Sequence, residues 1–299
     1  MRRFLLAAVM FGAASGAQAA DLPDLPILRG SFPEGLSTST RNWDGWYVGG
    51  QADYTSASTD FSNSVVGLTN FMYRNSVLQT PLSQISLLSK TAPQGGGFGA
   101  FVGRNYQWDD LVFGLEANYT YLTNLASSST DSISRAIVNP PGDNPPSGHT
   151  HTYNVTLAGN AAVQIKDVIT LRGRAGWATG NFLPYVFGGV AVGRMDVARS
   201  VTSSGNLQDD YDVTTTTIVG LQTISNTVHH TDFYQLPTLG QSEERTNSIV
   251  AGWTGGLGLE YMLWGNVFMR GEWEYIKFLS VKDTTVSMNS LRAGIGYKF

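Results

Sequence analysis

Nine charged residues, Asp53, Glu116, Arg172, Arg174, Glu260, Arg270, Glu272, Glu274 and Arg292, sit in stretches where apolar residues alternate with polar or small ones. An extended chain turns every second side chain to the same side. The alternation therefore gathers these carboxylates and guanidiniums onto one surface. Such a surface can act as a salt-bridge network, or as a charged constriction past which a small solute moves.

Other chemistry is harder to assemble. A hydrolase embedded in a membrane needs a Ser or Thr nucleophile with a His held in fixed geometry. The four histidines, His149, His151, His229 and His230, fall in segments expected to be loops, and no expected strand carries one. His149-Thr-His151 and His229-His230 could bind a metal or haem at the surface. No cysteine or patterned carboxylate accompanies them, so solvated loop histidines are the simpler reading, and no metal or cofactor is expected. The lack of Cys also excludes disulfides, thiolate metal sites and cysteine nucleophiles. Gly95-Gly-Gly-Phe-Gly99 and Gly252-Trp-Thr-Gly-Gly-Leu-Gly258 lack the Lys and the following helix of a phosphate loop. Glycine there is expected to make room for large neighbours. The formal charge of −4, or −6 once Arg2 and Arg3 are lost, is no nucleic-acid footprint.

The N-terminus is expected to be a signal peptide, residues 1–19. Arg2 and Arg3 precede an apolar run, and Ala17-Gln-Ala19 is an A-x-A cleavage site. Residues 20–44 read as a Pro-rich periplasmic lead-in, and residues 45–299 as one β-domain. Within it, apolar faces recur at Trp46–Tyr54, Leu111–Tyr121, Ile169–Trp177, Ile249–Tyr261, Val267–Tyr275 and Leu291–Phe299, and more weakly at Phe98–Tyr106 and Leu183–Met195. Each has about the 9–11 residues of a tilted membrane-spanning strand.

Tight turns at Trp108-Asp109-Asp110, Thr179-Gly180-Asn181 and Trp264-Gly265-Asn266 alternate with long polar loops at Ser58–Gln94, Asn124–Gln164 and Ala198–Asn247 and a short one near Leu279–Val286. That rhythm predicts an all-β, antiparallel, up-and-down transmembrane barrel of eight strands with its turns in the periplasm. A soluble sandwich gives no reason for it. The β-prone segments Tyr153–Gln164 and Val213–Val228 either extend hairpins above the membrane or raise the count to ten.

An eight-stranded barrel is just wide enough for side chains to fill, which favours the network over an open path. Tyr106, Trp108, Trp177, Phe182, Tyr185, Tyr261, Trp264, Tyr297 and Phe299 lie near the turns, as an interfacial girdle would. On the last strand, Leu291, Ala293, Ile295, Tyr297 and Phe299 are expected to face lipid, and Arg292 to pair with an interior carboxylate such as Glu260 or Glu272.

Several motifs resemble alphaproteobacterial porin-family outer-membrane proteins, the opacity-type or OmpA-like barrels. They are Ala20-Asp-Leu-Pro23, Trp43-Asp-Gly-Trp-Tyr-Val-Gly49, Gly103-Arg-Asn-Tyr-Gln-Trp108, Phe113-Gly-Leu-Glu-Ala-Asn-Tyr119, Leu171-Arg-Gly-Arg-Ala-Gly176, Tyr185-Val-Phe-Gly-Gly-Val-Ala191, Gly252–Tyr261, Arg270-Gly-Glu-Trp-Glu-Tyr275 and the terminal Tyr297-Lys-Phe299. Arg104 departs from the aromatic usual there. The resemblance implies an eight-stranded outer-membrane barrel whose terminal strand, with Tyr297 and Phe299, is read by the barrel-assembly machinery. The expected function is a non-enzymatic, surface-exposed envelope protein with at most a narrow pore. It would contact outer-membrane lipid and lipopolysaccharide and offer its loops to a host or environmental ligand. The alternatives are a small-solute porin or a haem- or ligand-binding surface receptor.

Overall fold

The computed structural model describes residues 41–280 and 283–299. The expected signal peptide and residues 20–40 of the lead-in lie outside the described residues. The described chain forms β1 (Gly45–Asp60), α1 (Val66–Met72), α2 (Gln79–Ser83), β2 (Lys90–Thr91), β3 (Gln94–Trp108), β4 (Leu111–Val138), β5 (His149–Trp177), β6 (Phe182–Val219), β7 (Gln222–Gln235), β8 (Leu239–Trp264), β9 (Val267–Phe278) and β10 (Thr285–Lys298). Every strand pairing is antiparallel.

Eight strands close a ring in the order β1-β3-β4-β5-β6-β8-β9-β10, and β10 returns to β1 from Tyr47↔Lys298 to Asp60↔Thr285. Closure leaves the wall no open edge. β2 adds two residues beside β1, and β7 pairs with β6 alone, so neither enlarges the ring.

The faces are inverted relative to a water-soluble sheet. Leu115, Leu171, Val186, Leu257, Leu291 and Ile295 are exposed on the outer wall, while Glu116, Arg172, Glu260 and Arg292 beside them are buried. That arrangement suits a hydrocarbon solvent, where a closed ladder satisfies the backbone internally and the outer wall is apolar. Among the described residues no helix is long and apolar enough to cross a membrane, so any crossing is made by strands.

The three tight turns stand at one end. Each turns through a left-handed residue, Asp109 at φ 53°, Gly180 at 57° or Gly265 at 52°. The two glycines adopt this conformation without the Cβ clash that other residues meet. Near this end Tyr106, Trp108, Trp177, Phe182, Trp264, Tyr297 and Phe299 are exposed and Tyr261 half-buried. Tyr185 was expected in this girdle but is buried inside the ring. Inward Leu183, Tyr185 and Phe187 alternate with outward Phe182, Pro184 and Val186. With both faces apolar, hydropathy does not separate them.

At the other end, two of the three expected long loops are mainly strand. β4, β5 and β6 run for 28, 29 and 38 residues, against the 9–11 or so that span a membrane. The β4–β5 ladder climbs to Val138↔Thr152, and β6–β7 forms its own hairpin from Asn206↔Gln235 to Val219↔Gln222. The histidines are accordingly not in loops: His149 and His151 open β5, and His229 and His230 lie on β7.

The first long connection folds inward. Phe61, Val65, Tyr73, Leu78, Leu82 and Leu87 pack against wall residues such as Leu122, Leu157, Ile165, Met195 and Phe278. Burying each large apolar side chain contributes roughly 1.5–3 kcal/mol. Ser64 and Thr284 share a 2.7 Å hydroxyl contact, Arg199 Nη1 donates to the Ser64 carbonyl at 2.6 Å, and the Tyr73 and Ser203 hydroxyls bond. These contacts seat residues 61–88 as a plug in the mouth of the barrel.

Candidate functional site

The interior is stratified, and β1 and β9 display the order of the layers. From the turn end, β1 points Tyr47, Gln51, Asp53, Thr55 and Ala57 inward, and β9 points Phe268, Arg270, Glu272, Glu274, Ile276 and Phe278 inward. An aromatic floor comes first. Trp43, Tyr47 and Phe101 cluster around Phe268, with ring centroids 5.9–6.4 Å from it. A charged layer follows, then hydroxyls and amides, then the apolar plug.

Glycine makes the charged layer possible. Phe101 lies opposite Gly49 in the ladder, Phe187 opposite Gly256 and Tyr185 opposite Gly258. A Cβ on these glycines would meet the facing ring at 2.2, 2.5 and 2.4 Å respectively, so only glycine lets the ring lie flat across the strand. Each ring then carries a guanidinium: Arg270 at 3.5 Å from the Phe101 centroid, Arg172 at 4.0 Å from Phe187, and Arg174 at 3.9 Å from Tyr185. Desolvated stacking of this kind is worth about 2 kcal/mol per pair. The expectation that glycines make room for large neighbours thus has a specific form at Gly256 and Gly258.

Carboxylates complete the layer. Glu116 is its hub. It accepts from Arg172 Nε and Nη2 at 3.0 and 2.5 Å, from Arg270 Nη1 and Nη2 at 3.1 and 2.6 Å, and from the Tyr47 hydroxyl at 2.8 Å. Arg172 Nη2 also donates to both Glu272 oxygens, at 2.7 and 2.8 Å, and Arg174 Nη1 to Glu260 at 2.8 Å. Tyr185 donates to Glu272, and Thr254 to Glu274 at 2.7 Å.

Arg292 pairs with an interior carboxylate as expected, but it is Glu274 and neither Glu260 nor Glu272. Glu272 is its ladder neighbour on β9, but that carboxylate is already held by Arg172, Arg270 and Tyr185. Asp53 stands apart from the hub. It faces Arg292 in the β1–β10 register, accepts from Thr55 at 3.3 Å, and leaves its Oδ2 without a hydrogen-bond partner. Sequence reasoning missed Tyr47 and Tyr185 as members of this layer. It also missed the amide layer above, where Gln51 and Asn118 exchange two 3.1 Å bonds.

The layer has the composition of a seal. Four arginines face four glutamates and one aspartate, and Arg172, Glu116, Arg270 and Glu274 are at most 2% exposed. Opposite charges pair across the lumen, although Arg174 Nη2, Arg270 Nε and the Nε and Nη1 of Arg292 are buried without a hydrogen-bond partner, and aromatic rings fill below. The histidines form no comparable centre. His149 bonds Asp209 at 2.9 Å and His151 bonds Asp143 at 2.8 Å, both half-buried at the start of β5, and His229 bonds Asp212 at 2.8 Å, exposed on β7. On the outer wall Arg104 lies over the rings of Trp46 and Tyr106, at 5.7 and 4.8 Å, so its departure from an aromatic still sits among aromatics.

Comparison with known proteins agrees with this architecture. The chain is 27% identical over 313 residues to the 31 kDa outer-membrane immunogenic protein of Brucella melitensis, spanning all of both chains. It is 22% identical to the 25 kDa outer-membrane immunogenic protein of Brucella ovis, over 73% of this chain and 70% of that one. Among solved structures, Ail, the attachment invasion locus protein of Yersinia pestis, aligns over 86% of this chain and 99% of its own, with a TM-score of 0.33 and 11% identity. The family model of the outer membrane protein beta-barrel domain matches residues 4–299. The chain belongs to that family and is an integral barrel of the cell outer membrane.

Proposed function

We propose that this barrel is a closed, non-enzymatic envelope protein that anchors surface-exposed β-ladders in the outer membrane. The observation that supports this reading most is the filling of the lumen by the floor, the charged layer and the plug. An eight-stranded wall is just wide enough for side chains to fill, and here large ones occupy it. A buried, mutually neutralised Arg–Glu layer offers no free nucleophile, base or solute path.

The outer wall contacts lipid and lipopolysaccharide. The terminal strand is the signal for the barrel-assembly machinery: Tyr297 and Phe299 are exposed at its end, where the Phe299 amide donates to the Trp46 carbonyl at 2.7 Å and Lys298 Nζ to the Asp44 carbonyl at 2.9 Å. The ladders above the membrane are the surface available to a host or environmental ligand. Deleting the gene tests the role. The reading expects a cell more sensitive to detergent with unchanged uptake of small solutes. Unaltered detergent tolerance with slowed solute uptake would replace it with a porin.

A further inference from the structure

We infer that the β6–β7 hairpin is a homophilic contact through which copies on opposed membranes pair, β7 edge against β7 edge. β7 has β6 as its ladder partner, and all fourteen of its residues are exposed. β5 leaves β6 at Tyr211, so residues 212–219 and their β7 partners stand free of the wall. At about 3.3 Å per residue they project some 25 Å. A long open strand edge is a template for another strand, and proteins usually blunt it with charge, Pro or a bulge. In its outer half this edge carries none of these: Gln222–Val228 of β7, like Val213–Val219 of β6 beside it, has no charge or proline, and the ladder between them has no register shift. Ile218 and Val219 on β6, Leu221 in the turn and Ile224 on β7 are exposed at the tip.

The occupant follows from charge and symmetry. The chain as a whole is acidic at −4, with Asp210, Asp212 and Asp232 at the hairpin base, so two copies repel except where this uncharged run meets its like. Antiparallel pairing about Ser225 places Gln222 opposite Val228, Thr223 opposite Thr227 and Ile224 opposite Asn226 of the other copy. Thr–Thr pairs across a ladder are favourable, and no charge enters the overlap. Two barrels in the same membrane would instead pair in parallel, setting Asp232 against Asp232. Antiparallel pairing therefore joins opposed membranes. The inference rests on the reading that the long ends face away from the cell, and it requires nothing of the lumen.

The test reconstitutes the full chain into two populations of phosphatidylcholine vesicles bearing different dyes and measures their tethering. Wild-type vesicles should tether. Vesicles carrying Thr223→Lys with Thr227→Lys should tether about tenfold less, because two like-charge pairs then face each other across the contact. Vesicles carrying Thr223→Glu with Thr227→Glu should fail equally. Lys vesicles mixed with Glu vesicles should recover, since residue 223 faces residue 227 of the opposed copy. A band shift on heating checks that each barrel is folded, and protease access to the hairpin checks that it faces outward. The inference is overturned if outward-facing wild-type hairpins do not tether, if the Lys variant tethers like wild type, or if the Lys–Glu mixture stays apart.

Discussion

Replacing Glu116 with Ala removes the carboxylate on which three guanidiniums and a phenol converge, Arg174 the most distant of them at 3.4 Å. Four hydrogen bonds from Arg172 and Arg270, at 2.5–3.1 Å, and one from Tyr47 at 2.8 Å are lost together. Glu272 still holds Arg172 and Arg270, and Glu260 and Glu274 keep Arg174 and Arg292, but the buried donors Arg172 Nε and Arg270 Nη2 lose their acceptor. Breaking a buried ion pair from one side costs about 3–5 kcal/mol, most of it the burden of the unpaired partner. At about 1.4 kcal/mol per decade, the folded-to-unfolded ratio should fall by roughly two to three and a half orders of magnitude. Urea titration of the chain in detergent micelles, followed by Trp fluorescence, reads this directly. Asp53→Asn is the control. Asp53 accepts a single 3.3 Å side-chain bond and takes no part in the hub, so it should cost under about 1 kcal/mol. A Glu116→Ala loss as small as that of the control would mean that water already screens the layer, and the sealed-lumen argument would be wrong.

Three other outcomes are expected. Gly258→Val should drive a side chain into the Tyr185 ring, displace the platform beneath Arg174 and cost about 1–3 kcal/mol in the same titration. Phe61→Ala should remove a fully buried side chain from the plug, cost about 3–5 kcal/mol locally and open residues 62–88 to protease while the barrel stays folded. Asp60 lies above the membrane-spanning part of β1, where hydrogen bonds from Ser62 and the Lys90 ammonium hold its carboxyl at about 2 rather than the usual 3.8. A depressed carboxylate contributes stability that is complete above the unfolded value and lost as pH falls through the folded one. Amide protection at the base of the plug, taken relative to the intrinsic exchange rate at each pH, should therefore fall between about pH 4 and pH 2, and Asp60→Asn should abolish that fall.

The sequence disclosed the wall more readily than its contents. Segments such as Leu111–Tyr121 and Leu291–Phe299 alternate apolar with polar or small residues, so a period of two assigns both faces at once. Tyr185 escaped because Phe182–Phe187 is apolar on both sides. The long ladders were legible in part: the β-prone Tyr153–Gln164 and Val213–Val228 do extend hairpins above the membrane, but elsewhere Thr, Ser and Asn fill the strands, neither face must be apolar there, and the hydropathy signal vanishes although the strands continue. The partner of Arg292 could not be read from spacing, since the choice among Glu260, Glu272 and Glu274 depends on which carboxylates other strands have already engaged. The plug was hidden for a related reason. Its leucines, among them Leu78, Leu82, Leu87 and Leu88, sit in a Ser- and Gln-rich segment that reads as loop until the barrel mouth supplies apolar surface to bury them.

Conductance across planar lipid bilayers tests the central claim most directly. Purified wild-type chain, shown to be inserted, should add no steady conductance steps, because the aromatic floor, the Arg–Glu layer and the plug each block the lumen. Stable, large channels accompanying insertion would contradict the account and make the buried arginines and glutamates the lining of a pore.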